Sequence, residues 1–296
     1  MHKQFQGTYT AIVTPFTKDN KIDWPVFEQL VERQIAGGVE GIVFVGTTGE
    51  SPTISQSEHI QIMNWAVNLV NGRKKVIIGT GSNNTQHNIE LAKEAEKAGA
   101  DAQLCVNPYY NKPTQEGLYL HFKAIADSTS LPVIVYNIKS RTGVNVETPT
   151  LIRLAQHPTI VAVKEASGDL PQMMDVIRKV PAHFSVLIGD DGLSLPFMAA
   201  GGDGLISVIS NVIPKTISGY IRACLNSDFN TARKMFFDSL DVMNAAFIES
   251  SPIPVKEMLG IMNLCNPELR LPLSRASENS LIFLKSMINQ IRELEK

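Results

Sequence analysis

The sequence predicts an α/β fold: a (β/α)8 TIM barrel followed by a C-terminal α-helical appendage. Three observations carry this expectation. Short apolar runs bounded by Gly, Pro or Asn recur eight times and alternate with helical patterns. The runs lack strict polar–apolar alternation, as expected of parallel strands covered on both faces. Beyond Asn211 the strand pattern stops and only helical patterns follow.

The expected strands are, in order, Tyr9–Val13, Gly41–Val45, Lys75–Ile78, Ala102–Val106, Val133–Tyr136, Ile160–Lys164, Ser185–Ile188 and Gly204–Val208. Each is rich in Val, Ile, Leu, Phe or Ala. The helices expected between them are Pro25–Ile35, Gln56–Val70, Thr85–Ala98, Thr114–Ala126, Thr148–Ala155, Leu170–Val180 and Leu193–Ala199. Asp23-Trp24-Pro25 and Thr148-Pro149 read as helix starts, and Gly99 as a stop. A doubly wound sheet is the alternative, but eight regular units over about 210 residues favour closure. Pro214–Leu225, Phe229–Phe247, Pro254–Asn263 and Ser277–Glu293 read as helices, and the chain is expected to divide into a catalytic barrel, 1–224, and a C-terminal helical region, 225–296.

Composition narrows the function. Lys and Arg number 27 against 29 Asp and Glu, a net charge of −2, with 19% charged and 44% hydrophobic residues. Such a balance does not suit tracking a phosphate backbone, so nucleic acid is not an expected partner. Met1–Gln6 has no apolar leader and no run approaches the ~18 apolar residues of a membrane span, so no membrane association and a cytoplasmic location are expected. Cys105, Cys224 and Cys265 are widely spaced, as in a reducing compartment. The six histidines form no i,i+4 pair or ligand-spaced set, and no metal is expected.

In such a barrel, chemistry gathers on the loops after the carboxyl ends of the strands. Those ends carry Gly46-Thr47-Thr48-Gly49-Glu50-Ser51, Asn107-Pro108-Tyr109-Tyr110-Asn111, Tyr136-Asn137, Ser140-Arg141-Thr142-Gly143, Lys164-Glu165 and Gly189-Asp190-Asp191-Gly192. Lys164 is the sharpest feature. The two-residue strand period sets Ile160, Ala162 and Lys164 on one face, expected to point inward, and Val161 and Val163 on the other. A desolvated lysine there would have a lowered pKa and a neutral amine able to attack a carbonyl. The ordinary alternative is a lysine snorkelling at a strand end beside Glu165. Tyr136, one strand over, could shuttle protons; a buried aromatic with a satisfied hydroxyl is its alternative. The Gly46–Ser51 loop lacks the Gly-Lys-Ser/Thr ending of a nucleotide loop and better suits a small carboxylate held by backbone amides and threonine hydroxyls. Gly79-Thr80-Gly81 lacks the third glycine of a dinucleotide fingerprint. Arg141 could grip a carboxylate bidentately or be a surface arginine.

These motifs, in this order from Gly7 to the C-terminal helices, resemble the dihydrodipicolinate synthases, class I aldolases related to N-acetylneuraminate lyase. The resemblance implies 4-hydroxy-tetrahydrodipicolinate synthase activity. On that resemblance Lys164 would form a Schiff base with pyruvate, whose enamine would attack L-aspartate 4-semialdehyde on the way to diaminopimelate and lysine; no cofactor is implied. It further implies a proton relay of Tyr136, Thr47 and Tyr110, the last reaching into a neighbouring subunit's site. Thr48 would hold the pyruvate carboxylate and Arg141 the semialdehyde carboxylate, while Gly189 and Ile206 would line the pyruvate pocket. A homotetramer built as a dimer of dimers is implied as well.

Two departures from the family pattern stand out. Lys139 takes the place of a proline, expected to loosen the Arg141 loop or add a positive charge beside it. At the family's lysine-feedback pocket, Ser51, His59, Asn83 and Tyr109 fit the inhibited type. His87, however, replaces a glutamate, and Pro52 and Gln56 also differ. Weak or absent lysine inhibition is therefore expected. Two other functions compete: a sister Schiff-base aldolase acting on N-acetylneuraminate or keto-deoxy sugar acids, and a non-catalytic small-acid binding protein. The paired threonines, Tyr109-Tyr110 and Arg141 favour the synthase over the first. Retention of the lysine and the relay disfavours the second.

Overall fold

Each β-branched and apolar run pairs with the next in chain order, and the last closes onto the first. In the computed structural model, which describes residues 3–296, the parallel strands β1 (Gly7–Ala11), β2 (Gly41–Phe44), β3 (Lys75–Gly79), β4 (Ala102–Val106), β5 (Val133–Asn137), β6 (Ile160–Glu165), β7 (Ser185–Ile188) and β8 (Gly204–Ser207) form a closed barrel. The helices are α1 (Trp24–Ala36), α2 (Gln56–Val70), α3 (Thr85–Ala98), α4 (Gln115–Asp127), α5 (Lys139–Thr142), α6 (Thr148–Leu154), α7 (Leu170–Lys179), α8 (Ser194–Ala199), α9 (Pro214–Leu225), α10 (Phe229–Ala245), α11 (Ile253–Ile261), α12 (Glu278–Ser286) and α13 (Ile288–Leu294). The expected (β/α)8 architecture with a helical C-terminal extension is the one observed. α9 packs on β1 and against α1 and α8, closing the outer ring, and α10 packs on α9. Among the described residues no helix is long and apolar enough to cross a membrane.

Two apolar layers hold the barrel. Inside lie Phe5, Tyr9, Val43, Ile77, Leu104, Ile134, Ala162, Leu187 and Ile206; outside, residues such as Ile42, Ile78, Val135 and Val163 pack against the helices. The start signals act as expected: the Asp23 side chain accepts from the Val26 N–H, and Gly99 ends α3 at φ +87°.

The structure corrects several expectations. β1 begins at Gly7 and ends at Ala11, because Ile12 and Val13 lie beyond its last paired residue; the Val13 N–H turns to the Asn211 side chain at 3.1 Å. Ser277–Glu293 is not one helix but two, α12 and α13, divided at Met287, whose N–H bonds back to Leu284. The Ser140–Gly143 segment is not a plain loop, since α5 forms there and Gly143 closes it by donating to the Lys139 carbonyl at 2.8 Å. Finally, Ile160 does not share a face with Lys164. The register slips by one between Val133↔Ile160 and Ile134↔Ala162. This bulge sends Ile160 to the outer layer and packs Val161 against the inner one, while Ala162 remains inside.

Candidate active site

Strand register brings the two central groups together. Tyr136 on β5 is paired with Lys164 on β6, so their side chains leave the sheet on the same face. The Lys164 ammonium lies 4.3 Å from the centre of the Tyr136 ring. Both are buried, Lys164 with 4% and Tyr136 with 5% of its surface exposed. Burial pulls the lysine down to about 8; the Arg141 charge adds to this and the Asp191 carboxylate opposes it. Burial pushes the Tyr136 phenol up to about 12, against the lowering influence of Arg141 and the Thr47 hydroxyl. The result is a protonated phenol beside an amine of which about a tenth is neutral at pH 7, against a few in ten thousand for an ordinary lysine.

Glu165 takes no part in holding Lys164. It leaves the opposite face of β6, where its carboxylate accepts from Asn137 Nδ2 at 3.1 Å, Gln172 Nε2 at 3.2 Å and the Ser167 N–H at 3.0 Å. Burial nonetheless raises its pKa. The ordinary alternative for Lys164, a strand-end lysine paired with Glu165, is thereby excluded.

The acid that does face this region is Asp191. It is fully buried and accepts from Ser207 Oγ at 2.5 Å and the Val208 N–H at 3.0 Å. Burial raises it to about 6, which leaves it mostly charged at neutral pH. Gly189, at the end of β7, is where the backbone must approach the lysine: a Cβ there would stand 2.5 Å from Lys164 Cε. Ile206 lies on β8 in the inner apolar layer, with Tyr136 and Leu187.

The loop after β2 is held in a demanding conformation. Val45, a β-branched residue, has φ +53° in the left-handed region, and Glu50 follows at φ +58°. Such a conformation costs about 1–3 kcal/mol and persists only where neighbours enforce it. Gly79 accommodates Val45 closely, since a Cβ there would meet the Val45 carbonyl at 2.3 Å. Thr14 Oγ1 donates to the Gly49 carbonyl at 2.8 Å, and Glu50 is buried against Lys256. Thr48 is buried between these anchors, and Thr47 faces a cavity of about 390 Å³.

Thr47, Ile138, Arg141, Thr142, Ser51, His59, His87 and Tyr109 are among the residues that line that cavity. Arg141 sits on α5 and donates to the Ser251 carbonyl at 3.1 Å, so it is tethered as well as exposed. Of the expected feedback positions, Asn83 does not line the cavity; its carbonyl accepts from Asn111 Nδ2 at 2.9 Å. Burial lowers His59 to about 4, and its Nε2 has no partner among the described residues. His87 is partly exposed and lies 3.7 Å from Glu90. Tyr110 is not brought to the lysine of its own chain: it projects from the rim, 90% exposed, at φ +70°.

Asp191 and Glu50 lie inside motifs that give them no task of their own, and Lys256 lies in none. The signal for Lys256 is a lone lysine in the apolar run Pro252-Ile253-Pro254-Val255-Lys256.

A buried lysine beside a phenol, at the carboxyl ends of parallel barrel strands and next to a hydroxyl-rich cradle, is the arrangement that Schiff-base chemistry requires. Residues 4–291 match the model of the Dihydrodipicolinate synthetase family, and the chain belongs to that family. The 4-hydroxy-tetrahydrodipicolinate synthase of Koribacter versatilis is 50% identical over 271 residues, spanning 91% of this chain and 90% of that protein. That of Leptospira biflexa is 46% identical over 290 residues, 98% of each. The solved structure of the 4-hydroxy-tetrahydrodipicolinate synthase from Methylacidiphilum fumariolicum SolV superposes with a TM-score of 0.96 at 44% identity, covering 98% of this chain and 97% of that one. The family expected from the motifs is thus borne out.

Proposed function

We propose that the protein is a lyase of the 4-hydroxy-tetrahydrodipicolinate synthase type, condensing pyruvate with L-aspartate 4-semialdehyde in diaminopimelate and lysine biosynthesis. The observation that carries the reading is the buried Lys164–Tyr136 pair, in a chain 44–50% identical over nearly its whole length to proteins of that name.

In this mechanism the neutral Lys164 amine attacks C2 of pyruvate, and the carbinolamine loses water to give the Schiff base. Tyr136, protonated at neutral pH, gives the proton that the leaving hydroxyl needs, with Thr47 as the next member of the relay. Thr48 and the loop amides hold the pyruvate carboxylate. Loss of a C3 proton gives the enamine, which attacks the semialdehyde C4 while Arg141 holds that substrate's carboxylate. The substrate amine then attacks the imine carbon and displaces Lys164, which regenerates the enzyme. The balance is one cyclic product and one water, and the covalent lysine chemistry itself requires no cofactor.

Tyr110, exposed on its own chain, is assigned to a neighbouring subunit's relay in a homotetramer built as a dimer of dimers. The charge balance and three free cysteines fit a cytoplasmic location without nucleic-acid or membrane partners. The test is an assay of pyruvate plus L-aspartate 4-semialdehyde, coupled to a dihydrodipicolinate reductase. NADPH oxidation that vanishes in Lys164→Ala is expected. No turnover by folded protein would reject the reading and leave sugar-acid aldol cleavage to be tried.

A further inference from the structure

The C-terminal helical region reaches back to the site at two places. Lys256 on α11 is fully buried, and its ammonium meets the Glu50 carboxylate, the Glu268 carbonyl at 2.8 Å and the face of Phe16 at 4.2 Å. The other Glu50 oxygen accepts from the Arg270 N–H at 3.0 Å. The Arg270 guanidinium grips both oxygens of Glu58, at 2.6 and 2.8 Å, and the Thr53 carbonyl at 2.9 Å. The chain leaving Thr47-Thr48 is therefore held at Glu50, Thr53 and Glu58 by residues more than two hundred positions away. The second contact is Ser251, whose carbonyl tethers Arg141.

We propose that Lys256 is a positioning residue for pyruvate: its buried pair with Glu50 fixes the Thr47-Thr48 segment, so the C-terminal region sets pyruvate affinity without touching substrate. The segment between Val45 and Glu50 begins and ends in the left-handed region, a conformation that neighbours must impose. On the barrel side Gly79 and Thr14 impose it, backbone bonds within the loop such as the Glu50 N–H to the Thr47 carbonyl at 3.1 Å support it, and on the other side the cluster around Lys256 closes on the Glu50 carboxylate. A buried ion pair is a weak source of stability, and its attested use is to fix register; here each Glu50 oxygen has a donor, and the Lys256 ammonium has two acceptors and the Phe16 face. The inference rests on the assignment of Thr48 as a pyruvate-carboxylate ligand.

The test compares steady-state kinetics of three variants with wild type, folding being checked by near-UV circular dichroism. Thr48→Val tests the underlying assignment, and its pyruvate KM should rise about tenfold or more. The charge-neutral double variant Glu50→Gln/Lys256→Met leaves no orphaned buried charge. It should raise pyruvate KM about five- to tenfold while the semialdehyde KM stays within about twofold. Glu50→Gln alone, isosteric with the native side chain, breaks the same ion pair should the double variant not fold, with an expected rise of about two- to threefold in pyruvate KM alone. Unchanged pyruvate KM in a folded double variant, or in Glu50→Gln where only that folds, overturns the inference, as does a parallel loss of all parameters. Unchanged pyruvate KM in Thr48→Val instead removes the assignment beneath it.

Discussion

Gly189→Ala separates catalytic placement from stability. The added Cβ would lie 2.5 Å from Lys164 Cε, 3.2 Å from Lys164 Cγ and 3.0 Å from Ala166 Cβ. Carbon atoms rest at about 3.5–4.0 Å, so the lysine must give by about 1 Å. Of the three contacts, the distal lysine chain is the softest, because Ala166 and the β7 end are fixed by backbone pairing. The Tyr136 ring, 4.3 Å from the ammonium, limits where the chain can go. Were the backbone to move instead, overpacking would cost about 1–3 kcal/mol. With the lysine moving, the stability loss stays near or below about 1 kcal/mol, a Tm shift of about 2–4 °C in a protein of this size. Misplacement of a reacting group by about 1 Å costs on the order of 100-fold in rate. Thermal melting and the rate of borohydride trapping with pyruvate read the two effects. A near-wild-type Tm with trapping slowed about 100-fold is expected. Wild-type trapping would refute the reasoning, because Lys164 would then not need its observed position.

Two further predictions concern charge. The rate of Schiff-base formation should rise with pH and level off above about 8, because the reactive amine is the neutral form and burial holds Lys164 near that value. Asp191→Asn removes the negative charge that opposes the lowering, so the limb should move to lower pH, read as trapping rate against pH; an upward shift would contradict the assigned electrostatics. Free lysine at micromolar concentration should leave turnover unchanged in the coupled assay. Losing a charged partner for its ammonium, as His87 implies, costs on the order of 1.5–3 kcal/mol, or one to two decades of affinity. Micromolar inhibition would refute this expectation.

The barrel was legible because each strand is a separate apolar run with its own stop signals. Lys164 and Tyr136 were legible because parallel pairing sets the ends of neighbouring strands side by side. The bulge opposite Val133 was not, since nothing in Ile160-Val161-Ala162 distinguishes a slipped register from a regular one. α5 escaped notice because four residues are too few to show a helical period. The Lys256–Glu50 pair joins residues 206 positions apart, and local pattern carries no record of such a contact.

Borohydride reduction in the presence of pyruvate, followed by intact mass and peptide mapping, tests the Schiff-base assignment most directly. One reduced pyruvate per chain, mapped to Lys164 and absent in Lys164→Ala, is the predicted result. An adduct on another lysine, or turnover that survives in Lys164→Ala, would contradict it.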